Sequence, residues 1–365
     1  MRVCILMNVL DPFKGGNHLP LLSAASNTQF TIVCNRSKCR AEDLPKNVEV
    51  IEVPARIGPY YYGVADFLFA RSVVKAYPVR SDFWLQFDVI HLNQTMGPAF
   101  KKLKKTGVSL LFLIHHPVTA DKEVSGWILK YAPLIQFQRA MCKTADHIAT
   151  VSKTMQKRIA SDYGVDQAKI SVVHNGVDGD KFQITKDSQC AFDIIAVGSF
   201  IHPRKGFSYL LDVYRNLAAS GKTIADVGRR SEEQITALKL IPEVQVHGMV
   251  SAEDLVDLVQ RSRVLVSTSL YEGFGLSLIE SLACGHPAFA FDVGAVPEVL
   301  GAIDSSLIIP VRDTATMAAA VEDFLAHSPA DRDLRGEQYR KAVLDRFSLT
   351  SSSNALNSLY ESMIA

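Results

Sequence analysis

The chain of 365 residues has no apolar run of the roughly eighteen residues that a membrane-spanning helix requires. Its opening, Met1-Arg2-Val3-Cys4-Ile5-Leu6-Met7, is too short to be the apolar core of a signal peptide with its cleavage site, and reads as the first strand of a sheet. Six cysteines (Cys4, Cys34, Cys39, Cys142, Cys190, Cys284) are scattered, mostly within apolar runs, and no C-x-x-C pair is present. That spacing excludes a zinc ribbon and a disulfide framework, so a reducing cytosol is the expected setting. No internal repeat or low-complexity tract interrupts the chain. Net charge is only +1, and no nucleic-acid recognition motif accompanies the basic residues, which argues against nucleic acid as a partner.

What is present is the composition of an α/β protein, 48% apolar and 21% charged, with enough length for two domains. Charge is unevenly divided. Residues 1–182 hold 23 basic and 15 acidic side chains, a net of +8, whereas residues 183–365 hold 16 and 23, a net of −7. The first half is therefore expected to face something anionic, such as a membrane surface or a charged acceptor; two domains that differ only in surface charge are the plainer explanation.

Short apolar, β-branched runs alternate with helical patterns: residues 31–33, 48–53, 89–92, 110–114, 147–151, 170–173, 194–197 and 263–268. Such alternation predicts parallel sheets covered by helices on both faces. The polar stretch Asp178 to Ser188 is the expected connector, giving domains over 1–182 and 183–349. From Leu344 the chain reads as a helix, a break at Phe347-Ser348-Leu349, and a last amphipathic helix.

Tyr271-Glu272-Gly273-Phe274-Gly275-Leu276-Ser277-Leu278-Ile279-Glu280 is the most informative segment. A buried strand precedes it, and Gly285-His286-Pro287 ends the helix that it opens. The unit is strand, tight glycine loop, helix. First-turn N–H groups of such a helix lack intrahelical partners and make a seat for phosphate. Glu272 lies in the loop, and Glu280 about one turn along the helix. A carboxylate accepts two hydrogen bonds, which suits paired sugar hydroxyls. One acid on each side of a diphosphate seat is what a sugar nucleotide needs.

The string EGFGLSLIE resembles the E-x7-E signature of retaining glycosyltransferases of family four, which have the GT-B fold. Further pieces follow in the family's order: Ala283-Cys284-Gly285-His286-Pro287, Gly294-Ala295-Val296-Pro297-Glu298, Ala145 to Ser152, Val172 to Asp178 with Phe182, and Ala196-Val197-Gly198-Ser199 with Lys205-Gly206. The resemblance covers nearly the whole chain. It implies two Rossmann-like domains whose parallel sheets face each other across a cleft. The first would bind the acceptor and the second the nucleotide-diphosphate sugar, a UDP- or GDP-sugar. A terminal helix, about 350–365, would cross back to the first domain.

The resemblance also implies roles. Glu280 would bind the ribose hydroxyls, and Glu272 with the backbone of Gly273, Phe274, Gly275 and Leu276 would hold the sugar. Lys205 and Arg204 would stabilise the leaving diphosphate, a lysine by neutralising growing charge and an arginine by gripping oxygens bidentately. The family's arginine after the strand glycine is replaced by Ser199, and Arg204 is the candidate to supply the missing guanidinium. His115, first after the strand ending at Ile114, would face the donor sugar and the reacting centre, with His116 as the alternative. Gly16, in the Gly15-Gly16-Asn17-His18 loop, would face the acceptor or the phosphates; a plain turn is the other reading.

Asp178-Gly179-Asp180 is a D-x-D string, but its position in a turn argues against a metal site, and no cofactor is expected. Lys101-Lys102-Leu103-Lys104-Lys105, with the aromatic residues between Pro59 and Phe87, would make a peripheral membrane patch or else a solvated helix face beside core aromatics. The expected activity is retaining, metal-independent transfer of a sugar to an acceptor hydroxyl of a glycan or lipid-linked glycan. The alternatives are a sugar-nucleotide epimerase or phosphorylase on the same fold, and a non-catalytic binding partner, to which Ser199 points.

Overall fold

The computed structural model describes residues 1–10, 28–40, 42, 44–55, 64–93, 97–126 and 128–365. The chain forms two units, Met1–His174 with Leu349–Ala365, and Asn175–Ser348.

The first unit is built on β1 (Arg2–Leu10), β2 (Gln29–Ser37), β3 (Val48–Glu52), β4 (Val89–Asn93), β5 (Ser109–Ile114), β6 (His147–Thr150) and β7 (Ile170–Val172), in the order β3-β2-β1-β4-β5-β6-β7. All pairings are parallel, with Ile5 opposite Ile32 on one side and His91 on the other. The central strands are apolar on both faces because helices cover both; Leu110 to Ile114 is buried throughout. Strand order reverses between β1 and β4, and the carboxyl ends there define the ligand side of such a sheet.

The last helix, Leu349–Ile364, belongs to this first sheet's core. Leu356, Leu359 and Tyr360 join Val3, Ile5, Phe30 and Val89 in one apolar cluster. Tyr360 is fully buried, and its hydroxyl lies 2.6 Å from His91 Nδ1, which satisfies a polar tip that burial would otherwise penalise.

The second unit carries β8 (Phe192–Val197), β9 (Ile224–Val227), β10 (Val244–Gly248), β11 (Ser262–Ser267), β12 (Ala288–Phe291) and β13 (Ile308–Ile309), ordered β10-β9-β8-β11-β12-β13 and again parallel. Its reversal falls between β8 and β11, so the loops after Val197 and Ser267 flank one crevice.

The polar stretch expected as a connector is part of the second unit, and the chain passes between units at His174–Asn175 and Ser348–Leu349. Val177 N–H donates to the Phe347 carbonyl at 2.8 Å, and the Arg340 guanidinium binds the carbonyls of Gly179 (2.8 Å), Phe182 (2.5 Å) and Ala283. Asp187 is buried between Arg332 (2.7 Å) and Arg263 (3.0 Å). These side chains are polar because they form an internal network, and composition alone does not distinguish that from a solvated linker.

The basic run lies on the 3-10 segment Pro98–Thr106, whose Phe100 and Leu103 are buried while Lys101, Lys102, Lys104 and Lys105 are exposed. Phe69, Trp84 and Phe87 are buried, and Tyr77 stacks on Phe83 at 3.8 Å. Phe69, Trp84 and Phe87 are thus packed inward while Tyr77 and Phe83 are half-buried; Tyr60, Tyr61 and Tyr62 lie outside the described residues. No described helix is long and apolar enough to cross a membrane.

Tyr360→Ala empties the centre of the first unit's core, so it is expected to cost about 3 kcal/mol. Both tryptophans, Trp84 and Trp127, fall in the first unit's part of the sequence. Their fluorescence during urea unfolding reads that unit: its midpoint should drop sharply, and an unchanged midpoint would place the last helix outside the core.

Candidate functional site

The loop after β8 turns through Gly198 and Ser199 into the short 3-10 turn Pro203–Lys205, then Gly206. Gly206 has φ of 66°, and a Cβ there would sit 2.2 Å from the Thr268 carbonyl oxygen, so no other residue fits. That contact presses this loop against the one after β11. Leu270 N–H donates to the Arg204 carbonyl at 2.8 Å, and Thr268 Oγ1 reaches the carbonyls of Lys205 (3.3 Å) and Gly206 (3.2 Å).

Two basic side chains thereby meet the loop acid. Lys205 Nζ donates to Glu272 Oε1 at 2.5 Å, Ser269 Oγ donates to the same oxygen at 2.8 Å, and Arg204 lies 3.8 Å from Oε2. Burial works to raise the Glu272 carboxyl, but Lys205 and then Arg204 outweigh it and hold the group at about 2, so it is ionised at neutral pH. The Glu272 carbonyl accepts from Ala295 N–H at 2.9 Å, which ties the Gly294-Ala295 turn to the site.

Arg204 is not directed only at the loop acid, since it also donates to the Tyr271 carbonyl at 3.0 Å. Phe274 is 3% exposed, with its ring edge-on to Phe347 at 5.3 Å. Its side chain anchors the loop from inside. Gly275 supplies no side-chain cap to the helix Leu276–Ala283; its carbonyl accepts from Leu278 N–H at 3.0 Å, and the Leu276 and Ser277 N–H groups come before that first bond.

Glu280 sits on that helix in the opposite electrostatic condition. Burial raises its carboxyl to about 7, opposed only by Lys181. The two acids of one segment are thus poised differently, one locked in the charged form and one near its midpoint at neutral pH.

In the first unit, His115 follows β5 and its Nε2 lies 3.0 Å from Asn93 Oδ1 at the end of β4. His116 instead faces Asp121, at 3.1 Å. Gly16, with Gly15, Asn17 and His18, lies outside the described residues. Asp178 directs its carboxylate to the N–H groups of Asp180 (3.0 Å) and Lys181 (3.1 Å), so the D-x-D string is a local turn. No group of three metal-ligating side chains occurs among the described residues.

Ser269, Asn93 and Arg230 were not marked by sequence. Ser269 and Asn93 are small polar residues at strand ends, legible only once strand ends are known. Arg230 follows β9 and reaches back to the Gly198 carbonyl at 2.6 Å.

Between the Glu280 carboxyl's ordinary 4.5 and about 7, the folded protein keeps a proton that the unfolded chain has released, so stability falls as pH rises through that window. Glu280→Gln removes the titration. The variant should melt with wild type near about pH 5 and above it near about pH 8. A difference independent of pH would contradict this environment for Glu280.

Residues 23–181 match the family described as Glycosyltransferase Family 4, and residues 191–327 that described as Glycosyl transferases group 1. The MMP α-(1→4)-mannosyltransferase of Mycolicibacterium hassiacum is 29% identical over 294 residues, 76% of this chain and 71% of that protein. Sucrose-phosphate synthase from Thermosynechococcus elongatus superposes with a TM-score of 0.78 at 20% identity, covering 99% of this chain and 98% of that one. Anabaena Alr3699/HepE, solved in complex with UDP and glucose, superposes with a TM-score of 0.74 at 16% identity, with 99% of each chain covered. With two matched regions in succession and the same two-sheet architecture, the chain belongs to glycosyltransferase family 4 and has the GT-B fold.

Proposed function

We propose that this glycosyltransferase retains anomeric configuration and takes its sugar from a nucleotide diphosphate, a UDP- or GDP-sugar, without a metal ion. The observation that carries this reading is the convergence of Lys205, Arg204 and an uncapped helix N-terminus around Glu272. A diphosphate leaving group develops negative charge as the glycosidic bond breaks, and fixed cations and N–H dipoles aimed at it lower the barrier. Lys205 Nζ is fixed in place by its pair with Glu272.

Glu280 takes the ribose hydroxyls in this reading, and Glu272 with the Gly273–Leu276 backbone takes the sugar. A glycosyl-enzyme route would require a carboxylate nucleophile beneath the anomeric carbon. Glu272 is the ionised acid of the site, but Lys205, Arg204 and Ser269 occupy its oxygens. Front-face attack is therefore the route we favour, with a leaving-phosphate oxygen accepting the acceptor's proton. Acceptor binding is assigned to the first unit, with His115 and the Gly16 loop; the exposed lysines of Pro98–Thr106 would suit a glycan or lipid-linked acceptor at a membrane surface. The relative's name favours mannose as the sugar transferred.

The test is incubation with GDP-mannose, UDP-glucose, UDP-galactose and UDP-N-acetylglucosamine against a glycan acceptor panel, followed by proton NMR. Release of nucleoside diphosphate that depends on acceptor, with a product of the donor's anomeric configuration, is expected. An inverted product would overturn retention, and acceptor-independent donor cleavage or epimerisation would overturn transfer.

A further inference from the structure

Beneath the Gly198–Phe200 turn lies a buried arginine that the roles above do not use. The Arg230 side chain is 1% exposed and pairs with the fully buried Asp226 at 2.6 Å. Tyr214 donates to the same Asp226 oxygen at 3.1 Å, and the guanidinium lies 4.3 Å from the Phe200 ring centroid. It donates to the carbonyls of Gly198 (2.6 Å) and Arg229 (3.0 Å). Strand order explains the meeting: β8 and β9 are neighbours, so their carboxyl-end loops touch. Gly228, with φ of 117°, allows it, because a Cβ there would lie 2.2 Å from the Gly198 carbonyl oxygen.

The backbone groups of this turn can be counted. Gly198 C=O is taken by Arg230, Ser199 C=O by His202 N–H (3.2 Å), and Phe200 C=O by Gln234 Nε2 (2.9 Å). Gly198 N–H goes to Val227 and Phe200 N–H to Arg229. Among the described residues, the Ser199 N–H and hydroxyl are the donors of the turn without a partner. They lie at the sheet's reversal point, and a Cβ on Gly198 would be 3.7 Å from Lys205 Cε.

We propose that Arg230 is a positioning residue, which pins the carbonyls of the Gly198–Phe200 turn inward so that the Ser199 N–H and hydroxyl, beside Lys205, receive the donor's diphosphate. This compensates within the chain for a serine where the resembled pattern has an arginine. A buried guanidinium paired with a carboxylate is costly to desolvate, and its fork holds several acceptors at fixed angles, which a lysine cannot reproduce. The inference rests on the reading of this site as a donor-diphosphate site.

The test is Arg230→Lys, with calorimetric binding of UDP and GDP set against uridine and guanosine, together with donor KM and kcat. Losing charge-assisted hydrogen bonds of this kind should weaken nucleoside diphosphate binding roughly tenfold or more. Nucleoside binding should be unchanged, and KM for the donor should rise. Should Arg230→Lys fail to fold, the double variant Asp226→Leu with Arg230→Met removes both charges together, and the same diphosphate-selective loss is expected. Equal loss of nucleoside and nucleoside diphosphate, or no loss of either, overturns the positioning role. Wild type that binds neither would instead overturn the donor-site reading itself.

Discussion

The second unit's site depends on how one carboxylate is held. Glu272 is buried, and a buried carboxylate is stable only if its charge is answered. Lys205 and Ser269 answer it at one oxygen and Arg204 stands near the other. That requirement draws together two loops 67 residues apart in the chain, and Gly206 against the Thr268 carbonyl makes the approach possible. The consequence is a cluster of cations fixed at the carboxyl ends of β8 and β11, the side of an open α/β sheet on which ligands bind.

Glu272 and Glu280 illustrate how environment divides one residue type into two protonation states. Glu272 faces cations and stays charged; Glu280 faces little but Lys181 and titrates near neutrality. A carboxyl near its midpoint accepts hydroxyl hydrogen bonds well once ionised, and ligand hydroxyls would repay some of the burial that now raises it. Arg230 extends the same logic beneath the neighbouring turn, where a buried cation answers backbone carbonyls and Asp226 together.

Much of the fold was legible because its signals are local. Apolar β-branched runs such as Leu110 to Ile114 and Arg263 to Thr268 became strands, and the break at Ser348 separates the two final helices. The stretch Asp178 to Ser188 reads as a connector because Asp187 and its arginine partners look solvated in sequence, whereas in the structure they are internal to the second unit. In the site, the residues within one loop were readable from motif spacing. Arg230, Ser269 and Asn93 were not, because their positions follow from strand order and loop contact. Phe274 carries both lessons: its place in the loop was evident, and its inward anchoring against Phe347 was not.

The central claim, that the second unit carries a nucleoside-diphosphate site built from protein cations, is tested most directly by thermal shift with UDP, GDP, ADP and CDP in the presence of a chelator. A ligand that binds only the folded state raises the melting temperature in proportion to the logarithm of its concentration over Kd. One of these nucleotides should raise it in the chelator, and the rise should vanish in Lys205→Ala. No rise with any of them, or a rise that requires added magnesium, would contradict the account.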